Sequence, residues 1–126
     1  MDNWLDKKEF GVWCEGVAVD WLASKGWHAL ERNVRFREGE IDVIVERRSS
    51  VHGRRGELQF VEVKGRRSET FGGVVEALTR KKLQRMRRAI WKWRERSGDR
   101  RPGEIWFLGV FVGRDGAVTI EEFLVE

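Results

Sequence analysis

The sequence predicts an α/β fold in which helices flank a mixed central sheet, and three observations carry that expectation. Apolar residues recur at helical spacing near the N-terminus. Several later runs are apolar enough to be strands, two of them interrupted by an acid. A long basic stretch with its own apolar stripe separates the third strand from the fourth. The expected order is helix, three strands, helix, two strands, as one domain over residues 1–126, a length that supports one real core but not two.

The first helix is expected from Asp6 to Lys25, where Phe10, Cys14, Val17, Ala18, Trp21 and Leu22 recur at steps of three and four. At 100° per residue Glu15 falls within about 20° of Leu22, at the margin of the stripe, so it can reach toward a sheet. Gly26 accepts the left-handed backbone that ends a helix. Residues 27–36 read as a strand that is irregular around Arg32-Asn33, Arg37-Glu38-Gly39 as a turn, and Glu40 to Glu46 as the second strand. Arg47 to Gly56 is a basic, glycine-containing loop, longer than most hairpin connections, which marks a mobile or functional segment.

Glu57 to Lys64 is the third strand. Its period of two puts Leu58, Phe60, Glu62 and Lys64 on one face and Gln59, Val61 and Val63 on the other, with the β-carbons of Glu62 and Lys64 roughly 7 Å apart. A long helix is expected from Val74 to Arg96, with a stripe of Leu83, Met86, Ala89, Ile90 and Trp93. Lys82 lies within about 40° of that stripe at its N-terminal end, so it points along the sheet. Ser97 to Gly103 breaks the helix. Glu104 to Val112 is an almost unbroken apolar run, as for a strand covered on both faces, and Ala117 to Leu124 returns as an edge strand whose Glu121 and Glu122 discourage edge pairing.

No run approaches the length of a membrane span and the N-terminus lacks the order of a signal peptide, so a cytoplasmic protein is expected. Cys14 is the single cysteine, which leaves no internal disulfide and no thiolate zinc site. The formal charge of +4 is unevenly spread: between Arg80 and Arg101 stand eleven Lys or Arg and two acids, Glu95 and Asp99. Such a face suits a polyanion, although a charged helix is also often just a solvated one.

Two adjacent strands would bring Asp42, Glu62 and Lys64 together in a hard, oxygen-only acidic pocket. Its natural occupant is Mg²⁺ or Mn²⁺, held by one or two carboxylates and completed by water and phosphate oxygens. The lysine then has two available tasks, to orient or deprotonate an attacking water or to stabilise charge on the phosphate. The same three residue types also form structural ion-pair clusters. Four signs favour a site: the acid-bearing apolar strands, Glu15 at its stripe margin, Lys82 at the helix end, and the basic helix.

Asp42 followed by Glu62-Val63-Lys64 resembles the D…(E/D)xK signature of the PD-(D/E)xK nuclease superfamily. The whole chain more closely resembles the YraN-like family of bacterial predicted endonucleases, relatives of archaeal Holliday-junction resolvases. The residues that carry this are Glu15, Ala18, Leu22, Gly26, Arg32-Asn33, Arg35, Gly39-Glu40-Ile41-Asp42, Phe60 to Lys64, Arg66, Phe71-Gly72, Lys82 and Arg85. The superfamily's proline is replaced by Ile41. The resemblance implies a restriction-endonuclease-like αβββαβ core and DNA cleavage with Mg²⁺ or Mn²⁺. In it Asp42, Glu62 and the Val63 carbonyl are metal ligands, Glu15 a further ligand or a holder of metal-bound water, and Lys64 the catalytic lysine. Arg35, Arg66, Lys82 and Arg85 are the expected nucleic-acid contacts. Symmetric cleavage of a four-way junction needs two active sites, hence a homodimer. The rival expectations are a non-catalytic nucleic-acid-binding accessory module of the same fold and, behind it, a purely structural interaction protein.

Overall fold

A computed structural model describes residues 6–49, 54–67 and 78–125. The elements are α1 (Lys7–Ser24), β1 (Trp27–Phe36), β2 (Gly39–Arg47), β3 (Leu58–Arg66), α2 (Arg80–Ser97), β4 (Gly103–Val112) and β5 (Val118–Leu124). They form a mixed α/β fold compatible with a restriction-endonuclease-like core: one five-stranded sheet in sequence order, antiparallel throughout except for the parallel β3–β4 pair that α2 connects. No helix among the described residues is long and apolar enough to cross a membrane.

The helices cover opposite faces, and the alternation of β3 shows why both are needed. Val61 and Val63 pack with Cys14, Ala18 and Leu22 of α1, whereas Leu58 and Phe60 pack with Met86, Ala89 and Trp93 of α2. Burying a large apolar side chain stabilises by about 1.5–3 kcal/mol, so a strand apolar on both sides is stable only between two such layers. Trp93 meets Phe60 edge to face and donates its Nε1–H to Glu31 at 3.0 Å, so its one polar atom is satisfied. Asp6 and Glu9 form a reciprocal capping box that starts α1, and Gly98, at φ 74°, ends α2 in the left-handed conformation.

Two boundaries near the site differ from expectation, and the expected irregularity of β1 extends further than Arg32-Asn33. The described part of α2 starts at Arg80 rather than Val74, because Thr79 takes extended backbone and accepts the Lys82 N–H at 3.1 Å, an N-cap that stops the helix from extending backward. Positions 74–77, like Phe71-Gly72, lie outside the described residues. Gly39 belongs to β2, paired with Phe36, because it is needed for packing: a Cβ there would overlap the Arg85 carbonyl of α2. The β1 irregularity is double. The register slips between Ala29 and Glu31, and Asn33 adopts φ 51°, a left-handed conformation that asparagine tolerates.

Candidate active site

The site arises where two strands part. The β2–β3 ladder ends at Val43 opposite Val61, yet β2 begins four residues earlier at Gly39 and β3 runs five residues further to Arg66. At this fork the face alternation of β2 also slips: Val43 and Val45 face α1, but Ile41 packs on the α2 side. Asp42 sits at the slip. Its carboxylate turns toward β3 and accepts the Val63 N–H at 2.8 Å, taking over from the ladder where it stops.

Glu62 projects beside it and is hydrogen-bonded to Asp42. Burial, then the charge of Asp42, pushes the Glu62 carboxyl up to about 8, so the pair resists ionising both carboxyls at once. Burial raises Asp42 as well, against the pull of the Val63 N–H. Lys82 is the cation in contact with Glu62, at 3.6 Å, and opposes the rise. Lys64, two residues on along β3, is half-buried. Desolvation and the charges of Arg66, Lys82 and Lys7 hold its pKa below the usual lysine value. The chemistry is that of a carboxylate pair short of positive charge, with two lysines nearby of which only one reaches it.

Glu15 approaches from α1. Burial and then the charge of Asp42 raise its pKa, while Arg32 and Arg35 pull it back. It is near enough to sense the pair without joining it: among the described residues no three His, Cys, Asp or Glu side chains stand close enough to share an ion. Arg35 lies 3.8 Å from Glu40. Arg66 folds its guanidinium onto the Gly65 carbonyl at 3.1 Å. Arg85 lines a cleft of about 80 Å³ together with Glu40, Glu62, Leu78, Lys82 and Met86. That volume holds a few waters.

Sequence reasoning missed Glu40, which lines this cleft and whose charge raises both Asp42 and Glu15. Its place two residues before Asp42 in the same strand was the available signal. The Val63 N–H was missed too, because backbone partners have no residue-type signature.

The sequence model of the Uncharacterised protein family UPF0102 matches residues 14–107, a span that contains every side chain of this site. The chain belongs to the UPF0102 family. A UPF0102 protein of Mycolicibacterium smegmatis is 45% identical over 89 residues, 69% of this chain and 68% of that protein. UPF0102 proteins of a Mycobacterium species (strain JLS) and of Beutenbergia cavernae are 38% and 39% identical over 121 and 117 residues, covering 95% and 91% of this chain and 85% and 92% of theirs. The resemblance to the YraN-like group therefore holds across both the site and the sheet that carries it, and UPF0102 is by its own description uncharacterised.

Proposed function

We propose that this UPF0102 chain is a metal-dependent endonuclease that hydrolyses DNA phosphodiester bonds in the cytoplasm, with branched or structured DNA as the first substrate to test. The observation that carries the reading is the buried Asp42–Glu62 pair, held side by side at a strand fork. Two buried carboxylates within hydrogen-bonding distance disfavour joint ionisation, and a divalent cation between them removes that cost.

The donor set fits Mg²⁺ or Mn²⁺. It is all oxygen, with two carboxylates beside a cleft that has room for water, and the family resemblance adds the Val63 carbonyl as a third donor. When bound, such an ion polarises a phosphodiester and lowers the pKa of a water. Asp42 and Glu62, both deprotonated, would hold the ion, and Glu15 would orient water at the edge of the pocket. Lys64, with a lowered pKa, serves as the proton acceptor or as a hydrogen-bond donor to the phosphate. Lys82 exchanges Glu62 for a phosphate oxygen, and Arg85, Arg66 and Arg35 take the flanking backbone. Two copies acting as a dimer would cut both strands of a junction.

One observation favours the rival reading of a non-catalytic nucleic-acid-binding module: Glu15 does not complete a three-ligand set among the described residues. The deciding experiment incubates the purified chain with four-way-junction, flap and linear DNA in Mg²⁺ or Mn²⁺, alongside Asp42→Asn. The reading expects metal-dependent cleavage that the variant loses while its circular dichroism is unchanged. Equal cleavage by the variant, or salt-sensitive binding with no cleavage on any substrate, would refute it.

A further inference from the structure

The outward face of α2 carries a feature that the fork does not use. Trp91 is 67% exposed, the most exposed large apolar residue described. Two positions further on, Trp93 is 2% exposed and secured in the core. About 200° of helix separates the two rings, so α2 is anchored by Met86, Ala89 and Trp93 whether or not position 91 is aromatic. Trp91 therefore does nothing for the packing of the helix, and leaving an indole in water is unfavourable.

Its surroundings state what would cover it. Trp91 lines a shallow depression of about 420 Å³ with Glu38, Arg87, Arg88 and Lys92. Arg87 and Arg88 stand one helical turn before it, beside its ring. The one acid of the depression, Glu38, is already matched by Lys92 at 3.7 Å. Along α2 nine Lys or Arg face a single acid, Glu95. Lys82 is engaged by Glu62, Arg94 by the Asp99 and Arg101 carbonyls, and Arg96 by Glu31. Arg80, Lys81, Arg85 and Arg88 make no ion pair with any carboxylate among the described residues.

We propose that the Trp91 face of α2 is a binding surface for an unpaired nucleic-acid strand, in which a base stacks on the indole and the adjoining phosphates bind the arginines. An open aromatic face set among cations is the arrangement that binds single strands, since every base has a π-face and every linkage a charge. A protein partner would have to be strongly acidic to face nine Lys or Arg and one acid along this helix, whereas a nucleic-acid strand brings a negative charge at every linkage. A second copy docked through the same face would set these arginines against their own symmetry mates. Duplex DNA offers phosphates to this face but no free base to the ring.

The surface is distinct from the fork. Trp91 lies nine residues beyond Lys82, roughly 13 Å along the axis and about half a turn around it, so a strand held there does not fill the cleft at Glu62 and Lys82. Binding needs neither metal nor cleavage.

The test uses the full chain carrying Asp42→Asn, in EDTA, with fluorescence anisotropy of labelled 20-nucleotide oligothymidylate, oligouridylate and a blunt mixed-sequence duplex. Trp91→Ala is expected to weaken binding of both single strands about tenfold and of the duplex less than about twofold, and Trp91→Phe to recover most of the loss. Arg88→Ala should weaken all three and lower the salt slope by about one. Melting temperatures report that each variant folds. An equal effect of Trp91→Ala on single strands and duplex, no effect on any, or loss of a dimer in sedimentation with nucleic-acid binding unchanged would each overturn the proposal. Because no step depends on metal or cutting, that outcome is independent of whether the fork cleaves.

Discussion

The two ends of β2 carry acid–base clusters of similar composition and opposite character. At the Glu46 end, Arg101 reaches Glu46 at 3.0 Å and Asp99 at 2.8 Å, Arg55 lies 3.4 Å from Glu46 and 3.5 Å from Asp99, and Arg101 also donates to the Gly56 carbonyl at 2.8 Å. Each carboxylate there has an arginine, so hydrogen bonds from Arg101 hold Asp99 below the ordinary carboxylate range and raise Arg101 in turn. At the fork, burial dominates, two acids stand side by side, and a single lysine lies 3.6 Å from one of them. The satisfied cluster ties the β2–β3 connection to the turn after α2. In the other, burial and a neighbouring acid raise both carboxyls above their ordinary range. The balance of partners, more than the residue types, separates a brace from a reactive site.

The sharpest way to break this contrast is to neutralise one acid at each end. Asp42→Asn and Glu62→Gln should lower cleavage by about 10³-fold or more, close to 4 kcal/mol of activation free energy, while Asp99→Asn should leave the single-turnover rate within about twofold. Equal losses would mean that the two ends act as one unit.

Next in size is the cation. Mn²⁺ at about a hundred times its Kd should stabilise the folded chain by about 2.7 kcal/mol, seen as a rise in Tm that Glu62→Gln abolishes. Calorimetry at pH 7 in buffers of differing ionisation enthalpy should record about one proton released per ion, since Glu62 titrates at about 8. A heat without proton release would place the ion elsewhere.

The brace comes third. Arg101→Ala should cost about 2 kcal/mol by denaturant unfolding, because it leaves Asp99 and Glu46 without their main partner, and should not alter Mn²⁺ affinity. The two clusters should also pull stability in opposite directions with pH. Glu62 has a folded pKa above its unfolded one, so the metal-free fold holds a proton that the unfolded chain has lost, and stability declines as pH rises from about 4.5 to about 8. Asp99 has a depressed folded pKa, so its contribution is full above its unfolded value and is lost as pH falls below about 4. Glu62→Gln should flatten the upper limb of a Tm profile and Arg101→Ala the lower one.

The smallest effect belongs to Lys82→Ala. It removes a charge that lowers Glu62, so Glu62 should titrate at a still higher pH, as a carboxyl-labelled NMR titration would detect, with little change in overall stability because the lysine is half exposed.

The sheet and its two covering layers were legible because they rest on periodicity. Val61 and Val63 opposite Leu58 and Phe60, the α1 stripe of Cys14, Ala18 and Leu22, and the apolar run of β4 all lie where spacing puts them. The meeting of Asp42 with Glu62 was legible in outline, since adjacent strands bring them together, and so was the lean of Lys82 toward the sheet. The fork itself was not. It lies in the slip at Asp42 and in the Val63 N–H that Asp42 accepts, features of backbone geometry with no residue pattern of their own. The start of α2 was misplaced because the apolar stripe does not say where a cap intervenes, and Thr79 does.

Gly39 has one further consequence. It presses β2 against the Arg85 carbonyl with no side chain between them, three residues before Asp42 on the strand and three after Lys82 on the helix. The gap across which lysine faces carboxylate is thus gauged by the absence of a single methyl group. Adding that methyl would act as a shim, spreading strand and helix and detuning the charge balance of the cleft without touching any group that bears a charge.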